Sequence, residues 1–151
     1  MNSGADEKTL TETAAKLRLA IVRTARRLRQ EAASETGGLT PTATSALSTI
    51  ERHGPLTPSE LAEIERVKRP TTTRTLRCLA RDGLVGRTPD PADGRSSLVA
   101  VNDAGRERLR RLRGRKNAYL ARRMRDLTPE EIETLERAAE ILDRMREGER
   151  G

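Results

Sequence analysis

The chain contains almost no aromatic residues, one cysteine and one histidine. With one Tyr and no Phe or Trp in 151 residues, any hydrophobic core must be built from Leu, Ile, Val, Ala and Met, a set that favours helices. The single cysteine, Cys78, excludes an internal disulfide framework and a multi-cysteine zinc cluster. No metal or other cofactor is therefore expected, and packing alone must stabilise the fold.

Long apolar segments are also missing. No stretch approaches the ~20 apolar residues that span a bilayer, and the first residues lack the basic start and apolar run of a signal peptide. The protein is therefore expected in the cytoplasm. The lone histidine, His53, and Cys78 fall in different predicted helices and provide neither a nucleophile with its base nor a metal site. These absences argue against an enzyme, and His53 is interpreted as a residue that stabilises a helix terminus.

Positive charge is abundant and unevenly distributed. The net charge is +7, with eight bases against three acids in residues 66–95 and ten against two in residues 101–125. Residues 126–151 hold nine acids against four bases. An arginine-rich composition alone would spread the bases evenly, whereas a regional cationic surface is expected of a protein that binds phosphates. The distribution favours nucleic-acid binding.

The spacing of apolar residues and the helix start and stop signals predict four helices in the first part of the chain. A long amphipathic helix is predicted from Leu10 to Ala33. Thr40 and Thr57 each precede a proline and begin two short helices, the second with a capping box. Pro70 opens a fourth helix that ends at Gly83. Two short helices joined by a tight link predict a helix-turn-helix.

A β-hairpin and two further helices are predicted to follow. The β-prone runs Leu84–Val85 and Leu98–Val101 flank a segment of turn formers. Asn102 is expected to cap a fifth helix and Thr128 to begin a sixth. The predicted fold is therefore mainly α with a small β-hairpin wing, a winged helix-turn-helix flanked by N- and C-terminal helices.

The predicted fourth helix carries the residue types that contact DNA. Arginines recur at steps of three and four on a stripe distinct from the inward residues, and threonines stand at the end expected to enter the groove. Arginine can bind guanine O6 and N7 at two points, and threonine can offer its methyl group to thymine or its hydroxyl to phosphate. A solvated basic face is the alternative, disfavoured by the hairpin that follows. The expected DNA-binding residues here are Thr71, Thr72, Thr73, Arg74, Arg77 and Arg81, and the expected inward residues are Leu76, Leu79 and Ala80.

Three segments, together with the order of the elements, resemble the MarR family of multiple-antibiotic-resistance-type regulators. The most specific is Asp90-Pro91-Ala92-Asp93-Gly94-Arg95, which is similar to the family's Asp-Pro-x-Asp-x-Arg wing signature. Val99–Gly105 resembles the strand and helix start that follow it, and Pro70–Arg74 through Gly83–Val85 resembles the recognition helix and its glycine turn. Asn102 stands where the family usually has threonine. The scarcity of aromatic residues departs from members that bind planar aromatic anions against aromatic side chains.

The resemblance implies a sequence-specific transcription regulator that binds a palindromic operator on double-stranded DNA as a homodimer. It further implies a repressor that a small anionic or apolar effector releases. The alternative is a constitutive or architectural DNA-binding protein without an effector site, and a metal sensor is disfavoured because cysteine and histidine ligands are missing. A deep pocket between the long helices and the DNA-binding lobe would favour the effector-responsive regulator.

The domain organisation is expected to be a single MarR-type domain over 1–151, with a winged helix-turn-helix lobe over 40–101. Residues 10–34 and 102–150 are expected to form dimerisation helices, because their apolar stripes have little else to cover and the resemblance implies that interface. A core within one subunit is the alternative. The expected dimerisation residues are Leu10, Leu17, Ile21, Leu28, Ile132, Leu135, Leu142 and Met145.

The wing and Cys78 carry more specific hypotheses. Arg95 follows a glycine at the hairpin tip and is expected in a narrow A·T-rich minor groove, whereas Arg87 is expected to contact phosphate. Asp93 either orients Arg95 through an ion pair, as the resemblance implies, or forms a turn. Cys78 lies on or beside the arginine stripe and is interpreted as a small packing residue, with a redox switch as the alternative.

Overall fold

The computed structural model describes residues 3–148, with the side chains of residues 6–148, and consists of helices and one hairpin in the predicted order. The helices are α1 (Ser3–Glu31), α2 (Pro41–His53), α3 (Pro58–Glu65), α4 (Arg69–Arg81), α5 (Asp103–Met124) and α6 (Pro129–Glu147), and the strands are β1 (Val85–Pro89) and β2 (Ser97–Val101). A short 3-10 helix, Ala33–Glu35, follows α1. The mainly helical prediction with a hairpin wing is confirmed. None of the helices within 3–148 is long and apolar enough to cross a membrane.

At three of the predicted helix starts, those of α2, α3 and α6, a side chain replaces a missing backbone partner. Thr57 and Thr128 each accept from the backbone N–H three residues on, and a glutamate at that position closes the capping box. Thr40 accepts from Ala43 in the same way. Such caps satisfy N–H groups that have no intrahelical acceptor. The caps of α2, α3 and α6 were therefore predictable from short local patterns.

Within the described residues, 3–116 form one compact unit and 117–148 form a second. The core of the first unit gathers the apolar faces of α2, α3, α4, the hairpin and the start of α5. Its members are Leu39, Ala43, Ala46, Leu47, Ile50, Leu56, Leu61, Leu76, Leu79, Leu84, Val85, Val99 and Leu109. Leu76 and Leu79 are inward as predicted, but Ala80 is exposed and its assignment to the inner face was wrong. Thr72 and Thr75 complete that face of α4 instead.

The hairpin, called the wing below (residues 85–101), is fixed to the helices at its base. β1 and β2 are antiparallel, with Val85 opposite Val101 and Pro89 opposite Ser97. The connection between α2 and α3 adds a bridge, in which Leu56 N–H donates to Val99 O at 3.0 Å and Val99 N–H donates to Leu56 O at 2.7 Å. Because this bridge lies beside the core, the wing has a defined orientation relative to α3 and α4.

The terminal helices present apolar side chains at the surface of the single chain. Along α1, Leu10 is 69% exposed, and Leu17 and Ile21 are exposed to a smaller extent. On α6, Leu135 and Met145 are exposed, whereas Ile132 and Leu142 are partly covered. Leu28, near the end of α1, is also partly covered. Each helix therefore leaves an apolar surface that its own unit does not bury.

Candidate nucleic-acid interface

The outer surface of α4 is basic and polar, and its inner face is apolar. The exposed residues that define this outer surface are Thr71, Thr73, Arg74, Arg77 and Arg81. Thr72 is 2% exposed, and its hydroxyl faces back to the Lys68 carbonyl oxygen at 3.5 Å. A buried side chain on the core side of the helix is not presented to DNA, so the assignment of Thr72 to the contact set was wrong. Cys78 is partly buried, at the edge between the two faces.

Cationic residues just before the outer surface were missed by the sequence interpretation. Lys68 is the N-cap of α4, Arg69 is its first residue, and both are exposed. The Arg69 guanidinium donates to the Ser59 hydroxyl in the first turn of α3. The two short helices are thereby linked at the ends where their backbone N–H groups point outward. Bases flanking a predicted helix start, in the sequence Lys68-Arg69-Pro70, were the available signal.

The tip of the wing is shaped by aspartate side chains that bond to the backbone. Asp93 Oδ1 accepts from Arg95 N–H at 3.0 Å, and Asp90 Oδ1 accepts from Ala92 N–H at 2.9 Å. No ion pair joins the Asp93 and Arg95 side chains among the described residues. Of the two interpretations of Asp93, the turn-forming one fits this geometry. The Arg95 side chain is exposed, as is Arg87 on β1.

Most arginines of α4 and the wing lack the ion pairs found at the start of α5, and Arg81, at the end of α4, is paired with Asp82 at 3.5 Å. Arg106 pairs with Asp103 at 2.8 Å and Arg110 with Glu107 at 2.7 Å. The hydrogen bond from Arg110 lowers the pKa of Glu107, so that carboxylate stays ionised and offsets the positive charge beside it. Within the described part of the chain, no carboxylate pairs with Arg74, Arg77, Arg87 or Arg95. Uncompensated positive charge is therefore present on α4 and the wing, where it attracts anionic phosphates.

A second feature of the first unit is a large groove between the end of α1, α2 and α5, called the basic groove below. Its volume is about 780 Å³, within the range of small-molecule sites. Its apolar walls include Leu28, Leu39, Leu109 and Leu112, and hydroxyls of α2 lie along one side. Four bases line it and no acidic residue does; they are Arg26, Arg29, Arg113 and Lys116. The arrangement suits a ligand with an apolar body and a negative charge.

The segment between α1 and α2 is attached to α5 at the edge of this groove. Arg108 donates to the Thr36 carbonyl oxygen at 2.7 Å, and Glu35 pairs with Arg115 at 3.2 Å. Arg113 pairs with Glu51 at 2.7 Å and donates to the Ser48 hydroxyl at 3.1 Å. These contacts join residues far apart in the sequence and hold the walls of the groove together.

Comparison with known proteins identifies the same architecture elsewhere. The sequence model of the MarR family matches residues 39–97, from the start of α2 to the second strand of the wing. The chain is 38% identical over 129 residues to an uncharacterized HTH-type transcriptional regulator of Mycobacterium bovis, covering 85% of this chain and 89% of that protein.

Solved structures agree with this similarity. A putative transcriptional regulator of Pseudomonas aeruginosa is 33% identical, with a TM-score of 0.78 over 90% of this chain and 94% of that one. A MepR variant of S. aureus, bound to an oligodeoxyribonucleotide, has a TM-score of 0.66 at 18% identity, covering 88% of this chain and 97% of that one. At that identity the likeness concerns the fold alone.

Proposed function

The chain belongs to the MarR family of DNA-binding transcriptional regulators, and on that premise we propose that it is a homodimeric repressor released by a small anion. The observation that carries this proposal is that one compact unit holds both an uncompensated arginine surface and a separate basic groove. A repressor of this kind acts on chromosomal DNA and hence in the cytoplasm. Its role is regulatory rather than enzymatic.

The outer surface of α4 is proposed to enter the major groove of the operator. Arg74, Arg77 and Arg81 supply the donors that bind guanine edges or phosphates, and Thr71 and Thr73 stand at the end of the helix that enters first. The wing is proposed to place Arg95 in the adjacent minor groove, with Arg87 on phosphate. Lys68 and Arg69 extend the phosphate contacts to the start of α4. The oligonucleotide-bound MepR structure is consistent with DNA binding by this fold.

A palindromic operator requires two copies of the chain. Two half-sites about 34 Å apart are read by two recognition helices related by a two-fold axis. The apolar surfaces on α1 and α6, with Leu28 at the end of α1, are proposed to pack between subunits. Charge supports this pairing, because residues 16–30 of α1 hold six bases and no acid, whereas residues 129–147 hold seven acids against three bases. Opposite charges on the two terminal helices favour association of one copy with another.

The proposed effector is an amphipathic small molecule with one carboxylate or sulfonate. Its negative charge would pair with the four bases of the groove, and its apolar body would contact leucine side chains such as Leu28 and Leu112. No aromatic side chain is among the residues that line the groove. Recognition therefore rests on aliphatic contact and charge. An effector acts by favouring a dimer whose recognition helices no longer match the half-site spacing.

The test begins with selection of DNA from a random-sequence pool by the full-length protein. An enriched inverted repeat is expected, and its affinity is then measured by fluorescence anisotropy with and without anilinonaphthalene sulfonate (ANS), an apolar sulfonate whose emission rises on binding. Arg29→Ala and Lys116→Ala should weaken ANS binding. Arg52→Ala, at an exposed position on α2 outside the groove, is the matched control. Enrichment without an inverted repeat would contradict the operator proposal, and an inverted repeat indifferent to bound ANS would favour the constitutive binder.

A further inference from the structure

Ser45 of α2 lines the basic groove and also donates a hydrogen bond to α3. It is one of the residues lining the basic groove, and its hydroxyl donates to Glu65 Oε2 at 2.7 Å. The neighbouring hydroxyl residues Ser48 and Thr49 have only one of these two contacts each. Ser48 lines the groove without contacting Glu65, whereas Thr49 donates to Glu65 Oε1 and does not line the groove. Ser45 is therefore the α2 side chain shared by the groove and Glu65.

Glu65 lies at the junction between the two helices of the helix-turn-helix. It is the last residue of α3, directly before Arg66, whose backbone is left-handed with φ 52°. The Glu65 side chain also lines a narrow cleft of about 10 Å³ together with Thr72 and Thr75 on the inner face of α4. Among the described residues, the polar contacts of its carboxylate are the two hydroxyls of α2. Its carboxylate is thus held by donors from α2, and the residue borders the inner face of α4.

We propose that the Ser45–Glu65 hydrogen bond transmits occupancy of the basic groove to α4, an inference that rests on the effector role proposed for that groove. A serine hydroxyl has a single proton to donate. An anionic ligand that accepts the hydrogen bond from Ser45 leaves Glu65 without this donor. The carboxylate then keeps one protein donor, turns toward solvent, and loosens the junction of α3 and α4 on α2. The ligand and Glu65 therefore compete for the same hydroxyl, and the operator-binding position of α4 depends on its bond to Glu65.

The competition predicts a specific phenotype for Ser45→Ala. Without the hydroxyl, Glu65 always lacks the donor that ANS would otherwise take from it. The variant should therefore bind the operator as weakly as the parent protein does at saturating ANS. Added ANS should then weaken binding by less than about twofold, against about tenfold in the parent, a size typical of coupling between sites. Glu65→Gln, which keeps the side-chain volume, should likewise reduce the response to ANS.

Two neighbouring variants serve as matched controls. Thr49→Val removes the other donor to Glu65 without touching the groove, so it should weaken operator binding while retaining the further loss on adding ANS. Ser48→Ala alters the groove without touching Glu65, so it should retain the full ANS-induced loss at saturation. Thermal melting checks that each variant is folded. A Ser45→Ala protein that loses as much affinity on adding ANS as the parent would overturn the proposal.

The design separates this inference from the proposed function. If ANS binds the parent protein without weakening its operator affinity, both the effector role and the transmission fail. If the parent responds and Ser45→Ala responds equally, the transmission alone fails. Carbon NMR of the labelled Glu65 carboxyl gives a readout independent of DNA. Its signal should shift on adding ANS to the parent and to Ser48→Ala but not to Ser45→Ala, and the absence of any shift in the parent would also overturn the inference.

Discussion

The Asn102 side-chain amide donates to the Gly83 carbonyl oxygen at 2.8 Å and so joins the exit of α4 to the entry of α5. The same side chain caps α5, because its Oδ1 accepts from Gly105 N–H at 2.9 Å. Gly83 has a φ of 70°, the left-handed conformation that a glycine adopts without strain after a helix. Asn102 therefore links the end of α4 to the start of α5, the two points of the chain between which the wing lies.

Asn102→Ala should destabilise the protein by about 1–2 kcal/mol, because it removes a helix cap and leaves the Gly83 carbonyl without this donor. Asn102→Ser is the matched control, since its hydroxyl oxygen can still cap α5 while the amide that donates to Gly83 is lost. Its loss should be smaller. Urea unfolding followed by circular dichroism measures both. Equal stability of Asn102→Ala and the parent would contradict the role assigned to this side chain.

Gly105→Ala should also be destabilising, for a steric reason. A Cβ at Gly105 would lie 2.3 Å from Leu84 O and 2.5 Å from Val101 Cγ2, so α5 would have to move away from the base of the wing. Such overpacking typically costs about 1–3 kcal/mol. Gly114→Ala is a control in the same helix, because a Cβ there meets nothing within 4 Å. That change should stabilise by about 0.5–1 kcal/mol through helix propensity, and identical unfolding midpoints for the two variants would refute the close-contact argument.

Dimerisation through the terminal helices predicts that a charge placed on their apolar surfaces separates the subunits. Leu17→Asp on α1 and Leu135→Asp on α6 should each shift the parent dimer toward monomer or toward aggregating material, as should removal of residues 128–151. Ile64→Asp, an exposed apolar position on α3, is the control and should leave the mass unchanged. The molar mass of each variant is measured by light scattering after size-exclusion chromatography. A stable dimer in both terminal-helix variants would place the interface elsewhere.

Local sequence signals predicted the elements of this fold better than they predicted side-chain direction. Successive residues in a helix differ in direction by about 100°, so Thr71, Thr72 and Thr73 do not share one face, and only the packing of α4 on α2 decides which of them is buried. Strand limits were also missed. Thr88 and Pro89 have turn-forming composition, but they extend β1 because Leu98 and Ser97 lie opposite them.

The basic groove had no local signal at all. It is lined by residues from α1, α2 and α5, and its bases Arg26 and Lys116 come from opposite ends of the first unit. Each lies among many other charged residues in the sequence, where nothing separates it from a solvated base. Only the tertiary contacts that attach the segment after α1 to α5 bring these bases together. The residues that line the proposed effector site could therefore not be predicted from the sequence, although the resemblance implied an anionic or apolar effector, whereas DNA binding followed from the spacing of arginines and the wing.

The last prediction distinguishes the two proposed DNA-contacting elements. Loss of a base contact should change sequence preference, whereas loss of a minor-groove contact should lower affinity across sequences. Arg74→Ala should cost about 1–3 kcal/mol of operator binding and blur the preference at one or two positions in each half-site. Arg95→Ala should weaken binding across operator variants, most where the flanking steps are A·T-rich. If Arg95 also neutralises a phosphate, the dependence of log K on log salt should become less steep by about one charge.

Both variants are titrated by fluorescence anisotropy against a panel of operator mutants at several salt concentrations. Arg110→Ala is the matched control, because that arginine is already paired with Glu107 and belongs to α5 rather than to α4 or the wing. It should bind every operator as the parent does. Loss of base preference in Arg95→Ala rather than in Arg74→Ala would exchange the two roles. An Arg95→Ala protein that binds like the parent on every sequence and at every salt concentration would show that Asp90–Arg95 does not contact DNA, and would leave α4 as the sole reader of the operator.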